Sequence, residues 1–385
     1  MTQSNAAEPT VLSFKNILFK YALLPFICSR LFVIASLLAS RVIVSKTHPT
    51  YSRTLLVNKQ GIFAWDAGYY KLIGSSGYGL KSTSVLRFFP LDPLIAHLGS
   101  VLSGISAGDW MILISNVASL LASVLIFRLA RSVFSLEVAK NSVWIFFLQP
   151  ASFVFVMGYS DSTYVFLESA VLLLLMSKTP KLFWLFTISF FCGLTRPTGI
   201  LLAAPVLWVG LFGNGKLSFS FDPIRFMKFL LASTGAACGT LVYLIWVKIR
   251  FGDMWYPLSV QTTSGHRGAF SNPLSNVYSN ATGVLHGHFG EALHVPWILL
   301  AVLLIVVTWI KLPSYWAFFA TLTLVAVLIS HNLDGFERYV GDLAPFTIAA
   351  SLLLTRSKIK ELLLAAGGMI AFLYAELAFL GLYIP

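Results

Sequence analysis

Apolar runs separated by short polar segments make up most of this sequence. They lie at residues 21–44, 110–129, 141–158, 162–177, 182–195, 198–213, 228–249, 296–310, 314–330, 343–354 and 361–383. A helix needs about 20 apolar residues to cross a bilayer. The pattern therefore predicts a single all-α, polytopic membrane domain over residues 1–385 with about eleven transmembrane helices, although the shorter runs leave room for a neighbouring pair to be one broken helix.

Composition strengthens this interpretation. Of the 385 residues, 57% are hydrophobic and 11% are charged, whereas soluble domains carry roughly 25% charged residues. The net charge of +12 does not indicate nucleic-acid binding, because the basic residues gather in alternate loops. By the positive-inside rule these loops and the N-terminus are expected in the cytoplasm.

The remaining loops are expected on the outer face, and two of them are long, at residues 45–109 and 250–295. The run at 91–105 is apolar but short and contains Asp92 and Pro93, so we interpret it as a helix that lies in the membrane interface.

Nine of the fifteen acidic residues fall on or near the outer face: Asp66, Asp92, Asp109, Asp161, Asp253, Glu291, Asp334, Glu337 and Asp342. This asymmetry predicts chemistry on that side, although polar loops without chemistry would look similar.

The first outer loop carries the segment Trp65-Asp66-Ala67-Gly68-Tyr69-Tyr70, followed by Arg87. An aspartate among aromatic rings is partly desolvated, which makes its carboxylate more basic and suits a general base. A sugar ring could stack on the same aromatic side chains. The alternative is an aromatic belt with one solvated acid, since Trp and Tyr concentrate at membrane interfaces.

Two short polar motifs interrupt the apolar runs further along the chain. In Tyr159-Ser160-Asp161-Ser162, the aspartate either caps the following helix or orients a ligand or metal. Arg196 lies between two apolar runs, where an arginine is costly unless it meets water or an anion. A lipid phosphate would bind it bidentately, whereas the alternative is a loop arginine that faces water.

A third polar segment runs from His331 to Tyr339 and contains Glu337 and Arg338. In one interpretation, Arg338 is a second arginine that binds an anion and Glu337 is a carboxylate beside it. In the other, the two residues form a local surface ion pair. The histidines of the chain lack the spacing of zinc sites, so no metal centre is predicted, and a divalent metal remains an unsupported alternative.

The order of these motifs resembles the PIG-V family of GPI mannosyltransferase 2 and its prokaryotic relatives. The resemblance covers residues 60–350 and rests on the following elements: Trp65-Asp66-Ala67 with Tyr70, Gly77-Tyr78, Phe88-Phe89-Pro90-Leu91, Pro150-Ala151-Ser152, Tyr159-Ser160-Asp161-Ser162, Thr195-Arg196-Pro197-Thr198-Gly199 and Glu337-Arg338-Tyr339. The family commonly has Glu where this chain has Asp161. The short chain is closer to the prokaryotic relatives, which favours the plasma membrane over an endoplasmic reticulum membrane and makes a GPI acceptor less expected.

The resemblance implies a GT-C fold and the transfer of mannose from polyprenyl- or dolichyl-phosphate mannose to a lipid-linked or glycan acceptor on the outer face. It selects Asp66 as the base of an inverting transfer, with Asp161 positioning Asp66 or the acceptor. The expected phosphate ligands are Arg196, Arg338 and Arg87. The expected sugar or acceptor pocket consists of Trp65, Tyr69, Tyr70, Tyr159, His331 and Glu337.

The expected partners are therefore membrane lipids, the lipid-phosphate donor and a glycan or glycolipid acceptor, with an accessory membrane subunit as an option known among eukaryotic relatives. Two other functions stay open. One is a GT-C transferase of another sugar, such as glucose, arabinose or an amino sugar. The other is a lipid or small-molecule transporter, which would have its binding residues near the middle of the membrane.

Overall fold

A computed structural model describes residues 12–50, 52–79, 83–214, 222–263, 267–286 and 293–385 of the chain. Within these ranges the regular secondary structure is helical, and the β pairing is one isolated antiparallel bridge between Phe270 and Ser330. The α-helices are α1 (Phe14–Ile17), α2 (Leu23–Thr47), α3 (Ser52–Gln60), α4 (Asp66–Ser76), α5 (Leu91–Ser103), α6 (Ala107–Val133), α7 (Leu136–Leu148), α8 (Asp161–Leu175), α9 (Leu182–Gly193), α10 (Ala203–Phe212), α11 (Pro223–Phe251), α12 (Tyr256–Gln261), α13 (Pro273–Gly283), α14 (Val295–Lys311), α15 (Ser314–Leu328), α16 (Phe336–Gly341), α17 (Ala344–Thr355) and α18 (Lys360–Phe379).

Each of the eleven predicted apolar runs contains helical residues, and the predicted polytopic all-α architecture is confirmed. In the described part of the chain, four stretches are long and apolar enough to cross a membrane: Phe14–Thr47, Ala107–Val133, Pro223–Phe251 and Lys360–Phe379. The first of these is continuous because a π-helical turn joins α1 to α2. The other apolar helices are shorter than a full span.

The run at 141–158 is not helical throughout. Helix α7 ends at Leu148, Gln149 is extended, and a 3-10 turn follows at Ser152–Phe155. Pro150 explains the break, because a proline disfavours the helical conformation of the residue before it and lacks an N–H to donate. The chain therefore turns inside the protein before Tyr159 and Asp161.

The first long loop contains short helices, as predicted. Helix α5 coincides with the run expected in the membrane interface and ends at Gly104, which has a φ of 75°. One face of α5 is buried and holds Asp92 and Ala96, while Leu98 and Leu102 are exposed. An exposed apolar face suits contact with lipid.

Arg30 lies inside α2 and is held by polar groups from other elements. Its guanidinium donates to Asn116 Oδ1 at 2.9 Å and Ser119 Oγ at 2.6 Å, both on α6, and to the carbonyl of Phe155 at 3.3 Å. An arginine within a membrane-spanning helix is stabilised by partners of this kind. These contacts fix the 3-10 turn that leads to Tyr159.

Helices α9 and α11 pack through glycines. A Cβ atom placed on Gly193, Gly235 or Gly239 would lie 2.0–2.2 Å from a backbone carbonyl oxygen of the facing helix. Small residues let membrane helices approach this closely. Because Arg196 follows α9 by three residues, this packing sets where its side chain enters the protein.

The second long loop, predicted at 250–295, is described in part and contains α12 and α13. Glu291 and the segment from Gly287 to His288, which were expected at the outer face, lie outside the described residues.

Candidate active site

A cavity of about 390 Å³ lies where the polar motifs meet. We call it the site cavity. Its wall includes five arginines and three aspartates, namely Arg53, Arg87, Arg196, Arg267, Arg338, Asp66, Asp161 and Asp334. Aromatic side chains complete it: Trp65, Tyr69, Tyr70, Phe88 and Tyr339. An excess of arginine over aspartate in a partly buried cavity favours an anionic ligand.

Asp66 is the first residue of α4, and its neighbours hold it in place. Trp65 adopts a φ of 58°, which is uncommon for a residue other than glycine, and donates from Nε1 to the carbonyl of Ala378 at 3.0 Å. The backbone N–H of Asp66 donates to the Tyr159 hydroxyl at 3.3 Å. The carboxylate is thereby turned into the site cavity, with its side chain 24% exposed.

Arg338 links Asp66 to Asp161. Its Nη1 donates to Asp66 Oδ2 at 2.8 Å, and its Nε lies 3.2 Å from Asp161 Oδ1. Gly335 starts the short helix α16 with a φ of 69°, a conformation that glycine adopts without strain. This turn brings a residue from the last third of the chain onto the first long loop.

Arg196 continues the same chain of charges. Its Nη1 lies 3.1 Å from Asp161 Oδ1 and 2.5 Å from Asp342 Oδ2. The guanidinium also lies 3.5 Å from the centre of the Tyr164 ring. Within the described part of the chain, its Nε and Nη2 atoms are buried without a hydrogen-bond partner. Arg196 is therefore a buried cation with free donors, and the interpretation of it as a loop residue facing water is wrong.

Asp161 and Asp342 share Arg196, and their charges interact. Burial, followed by the charge of Asp161, raises the pKa of Asp342 well above its usual range. We call Asp66, Arg338, Asp161, Arg196 and Asp342 the charge cluster. Arg87 adds a further positive charge, since its Nη2 lies 3.9 Å from Asp66 Oδ1.

Tyr339 lies among three of the cavity arginines. Its ring centre is 4.3 Å from the guanidinium of Arg267, 5.1 Å from that of Arg338 and 5.2 Å from that of Arg196. Arg338 Nη2 also donates to the Tyr339 hydroxyl at 3.2 Å. Burial opposes ionisation of the phenol, but the three guanidinium charges prevail and lower the pKa of Tyr339.

The aromatic residues expected in the sugar or acceptor pocket lie in different environments. Trp65, Tyr69 and Tyr70 line the site cavity. Tyr69 stacks on Phe88 with ring centres 4.9 Å apart, and the Tyr70 hydroxyl is 2.7 Å from Ser160 Oγ. These contacts order one wall of the cavity.

Three residues expected in the sugar or acceptor pocket do not line the cavity. Tyr159 is fully buried, with its hydroxyl turned to the backbone of Asp66. Glu337 is also buried and accepts hydrogen bonds from His294 and Tyr383. His331 packs against Gly268. Helical geometry explains why Glu337 does not face the cavity. Adjacent residues of α16 point in different directions, and the side chain of Arg338 is the one that lines the cavity.

Sequence reasoning missed several cavity residues. Asn332 and Asp334 belong to the third polar segment but were not singled out, although a run of polar residues between apolar helices was a usable signal. Arg53 and Arg267 are isolated loop arginines, and no spacing marks them in the sequence. The guanidinium of Arg53 lies 4.8 Å from the Trp65 ring centre.

No metal site is visible in the part of the chain that the structure describes. There, no group of three or more His, Cys, Asp or Glu side chains is arranged to hold a metal ion. The carboxylates of the charge cluster are instead paired with arginines.

Comparison with known proteins identifies the fold. No protein-family profile matches the sequence, and no curated protein matches it. The structure of ArnT from Cupriavidus metallidurans bound to undecaprenyl phosphate matches with a TM-score of 0.50 and 14% identity, over 82% of this chain and 71% of ArnT. The oligosaccharyltransferase of Archaeoglobus fulgidus, tethered with an acceptor peptide, has a TM-score of 0.46 and 12% identity, over 92% of this chain and 56% of its own. ArnT belongs to the GT-C superfamily of glycosyltransferases. The chain is a multi-pass membrane protein with the GT-C glycosyltransferase fold.

Proposed function

We propose that this protein is a membrane glycosyltransferase that moves mannose from polyprenyl- or dolichyl-phosphate mannose to a lipid-linked or glycan acceptor. The observation that carries the proposal is the charge cluster, in which one partly exposed carboxylate and two buried arginines meet in a single cavity. The choice of mannose rests on the motifs that resemble the PIG-V family. That ArnT was solved bound to undecaprenyl phosphate supports a lipid-phosphate donor for a chain of the same fold.

The reaction needs one base and a site for the leaving phosphate. Asp66 removes the proton of the acceptor hydroxyl while that oxygen attacks C1 of the sugar. The C1–O bond to the phosphate breaks on the opposite side, so the anomeric configuration inverts. The lipid phosphate leaves as an anion without a proton, and the arginines stabilise its charge.

Arg338 connects these two tasks. In the free enzyme its Nη1 is occupied by Asp66 Oδ2. A donor phosphate competes for that N–H, and its arrival leaves the carboxylate lone pair of Asp66 open to the acceptor hydroxyl. Arg196 supplies the free Nε and Nη2 donors in the fork geometry that suits phosphate.

An apolar groove beside the site cavity suits the lipid chain of the donor. It has a volume of about 390 Å³ and is lined by apolar and aromatic side chains, among them Leu94, Val242 and Trp246. Its residues Pro90 and Leu194 are two positions away from Phe88 and Arg196 of the site cavity. A phosphate in the cavity can therefore continue into a lipid tail in the groove.

The transporter alternative has less support. Substrate sites of secondary transporters lie near mid-membrane between repeats, and a second route from the cavity through Glu168 would favour transport. Glu168 is fully buried and accepts a hydrogen bond from the backbone N–H of Ala344 at 3.1 Å. It is not among the residues that line the site cavity.

The membrane and the partners follow from the same proposal. We place the reaction on the extracytoplasmic face, in a prokaryotic plasma membrane or, in a eukaryote, the endoplasmic reticulum membrane. The lipid-linked donor arrives through the bilayer, as does a lipid-linked acceptor, and an accessory membrane subunit is a further possible partner.

The test uses purified full-length protein in lipid vesicles with radiolabelled mannosyl-phosphoryl polyprenol and extracted membrane lipids. Parallel reactions contain glucosyl-, arabinosyl- and amino-sugar-phosphoryl polyprenols, and one contains a nucleotide-activated mannose. We expect label in a lipid-linked or glycan product from the mannosyl lipid. Label from the nucleotide sugar alone would exclude the lipid-phosphate donor, and preference for another lipid-linked sugar would exclude mannose.

A further inference from the structure

A buried histidine next to the site cavity contacts two carboxylates. His294 is 1% exposed, and its Nδ1 lies 2.9 Å from both carboxylate oxygens of Glu337. Its Nε2 lies 3.6 Å from Asp334 Oδ1. The proposed chemistry uses none of these three residues.

Further hydrogen bonds fix both carboxylates. The Tyr383 hydroxyl donates to Glu337 Oε2 at 2.7 Å, behind the cavity wall. Asn332 Nδ2 donates to Asp334 Oδ2 at 2.8 Å, and the backbone N–H of Asp334 donates to Asn332 Oδ1 at 2.8 Å. Such a fully bonded network holds its members in one geometry.

The charges of this network favour an imidazolium between two carboxylates. Burial alone lowers the pKa of His294, but the charge of Glu337 and the hydrogen bonds to Asp334 and Glu337 raise it to about 9. Burial likewise disfavours the charged form of Asp334, but hydrogen bonds from His294 and Asn332 and the charges of His294 and Arg267 lower its pKa. Asp334 is therefore a fixed, ionised carboxylate at neutral pH.

Asp334 also faces the ligand space. It lines the site cavity together with Asn332, and its side chain is 28% exposed, whereas that of Glu337 is 1% exposed. A carboxylate has about four lone-pair positions. His294 and Asn332 approach one oxygen each, which leaves lone pairs for hydroxyl donors of a ligand.

Asp334 shares the site cavity with the proposed phosphate ligand Arg338. Both residues line it, one on each side of the turn at Gly335 that precedes α16. A phosphate bound at Arg338 carries the sugar on its ester oxygen, so the ring extends to within reach of Asp334.

We propose that Asp334 determines donor specificity by accepting hydrogen bonds from hydroxyl groups of the sugar ring, and that His294 with Glu337 positions it. This inference rests on the proposed function. It assigns the donor sugar to the class of neutral hexoses whose ring hydroxyls face this carboxylate. Asp334 is the specificity-determining residue, and His294 and Glu337 act through it.

The test measures kcat/KM for polyprenyl-phosphate mannose and for its 2-, 3-, 4- and 6-deoxy analogues. The variants are Asp334→Ala and His294→Gln, with His286→Gln as a control, because His286 is exposed and its Nδ1 lies 3.2 Å from the carbonyl oxygen of Thr282, one turn earlier. The measured quantity is the ratio of kcat/KM between the hydroxylated and the deoxy donor in one preparation. This ratio does not depend on how much of a variant is folded.

We expect the wild type and His286→Gln to prefer the hydroxylated donor over at least one deoxy analogue by about tenfold to 100-fold, the range for hydrogen bonds to a charged group. In Asp334→Ala this ratio falls to near one. In His294→Gln it falls several-fold, and the pH dependence of the ratio between pH 7 and 10 disappears, a change that a merely structural role would not cause.

The outcomes separate this inference from the proposed function. If the wild type transfers no sugar from any lipid-phosphate hexose, the proposed function itself fails. If the wild type transfers mannose but Asp334→Ala keeps the full deoxy-donor ratio, the specificity role is overturned while the function stands. A wild-type preference for an amino-sugar donor would assign the carboxylate to an ammonium group and overturn the hydroxyl assignment.

Discussion

Arg338 Nη1 lies 2.8 Å from Asp66 Oδ2, a contact between residues 272 positions apart in the chain. Asp66 begins a helix of the first long loop, and Arg338 lies on a short helix near the C-terminal third. The contact joins two parts of the cavity wall that are far apart in the sequence. It also pairs the proposed base with a proposed phosphate ligand, so donor binding and activation of the acceptor hydroxyl depend on one guanidinium.

Replacing Arg338 by glutamine removes this link. We expect kcat/KM for the lipid-phosphate donor to fall by about 10²- to 10³-fold, because the variant loses a charged donor to the leaving phosphate. Arg356→Gln is the matched control, since Arg356 is exposed after the end of α17. Steady-state kinetics with varied donor measures the effect, and equal kcat/KM in the two variants would remove Arg338 from donor binding.

Asp161 holds both buried arginines of the charge cluster, at 3.1 Å from Arg196 and 3.2 Å from Arg338. Asp161→Asn leaves two buried cations short of a partner, which we expect to destabilise the protein by about 3–5 kcal/mol. Thermal unfolding in detergent checks this. Asp109→Asn is the control, because Asp109 is exposed, and its loss should cost no more than about 1 kcal/mol. If Asp161→Asn and the control have equal melting temperatures, the charge of Asp161 does not stabilise the folded protein.

The close approach of α9 and α11 should be sensitive to a single methyl group. In Gly239→Ala the new Cβ would lie 2.0 Å from the carbonyl oxygen of Phe190, so the helices must separate. We expect a loss of about 1–3 kcal/mol from overpacking and reduced transfer, because Arg196 follows α9. Gly79→Ala is the control, since no atom of the described residues lies within 4 Å of its Cβ position. Unchanged stability in Gly239→Ala would contradict the packing described here.

The buried His294 predicts how stability depends on pH. The pKa of His294 rises from 6.5 in the unfolded chain to about 9 in the folded protein, so the folded state binds the proton more tightly. Its stabilising contribution is complete below about pH 6.5 and is lost as the pH rises through about 9. Melting temperatures of the wild type should therefore decline across this window more steeply than those of His294→Gln. Parallel curves for the two proteins would refute a protonated His294.

Much of the architecture could be predicted because a bilayer imposes one physical requirement, a continuous apolar helix. Each predicted run contains helical residues, and the break in the run at 141–158 has a local cause in Pro150. The sequence order of motifs also identified Asp66, Asp161, Arg196 and Arg338, which the structure brings into one cluster.

The pairing inside the site could not be predicted, because it depends on contacts between distant segments. Glu337 and Arg338 are neighbours in the sequence, yet the short helix α16 directs Arg338 into the cavity and Glu337 toward His294. His294 is one of several histidines in the second outer loop, and no spacing distinguishes it from the others. Asp342 was counted among the outer-face acids, but its pairing with Arg196 depends on how the helices pack.

The most direct test of the central claim compares the wild type with Asp66→Asn in the mannosyl-phosphoryl polyprenol assay. Asparagine keeps the shape of the side chain but cannot accept the acceptor proton, so we predict that transfer per folded molecule falls by about 10²- to 10⁴-fold. Turnover by Asp66→Asn equal to that of the wild type would contradict the assignment of Asp66 as the base.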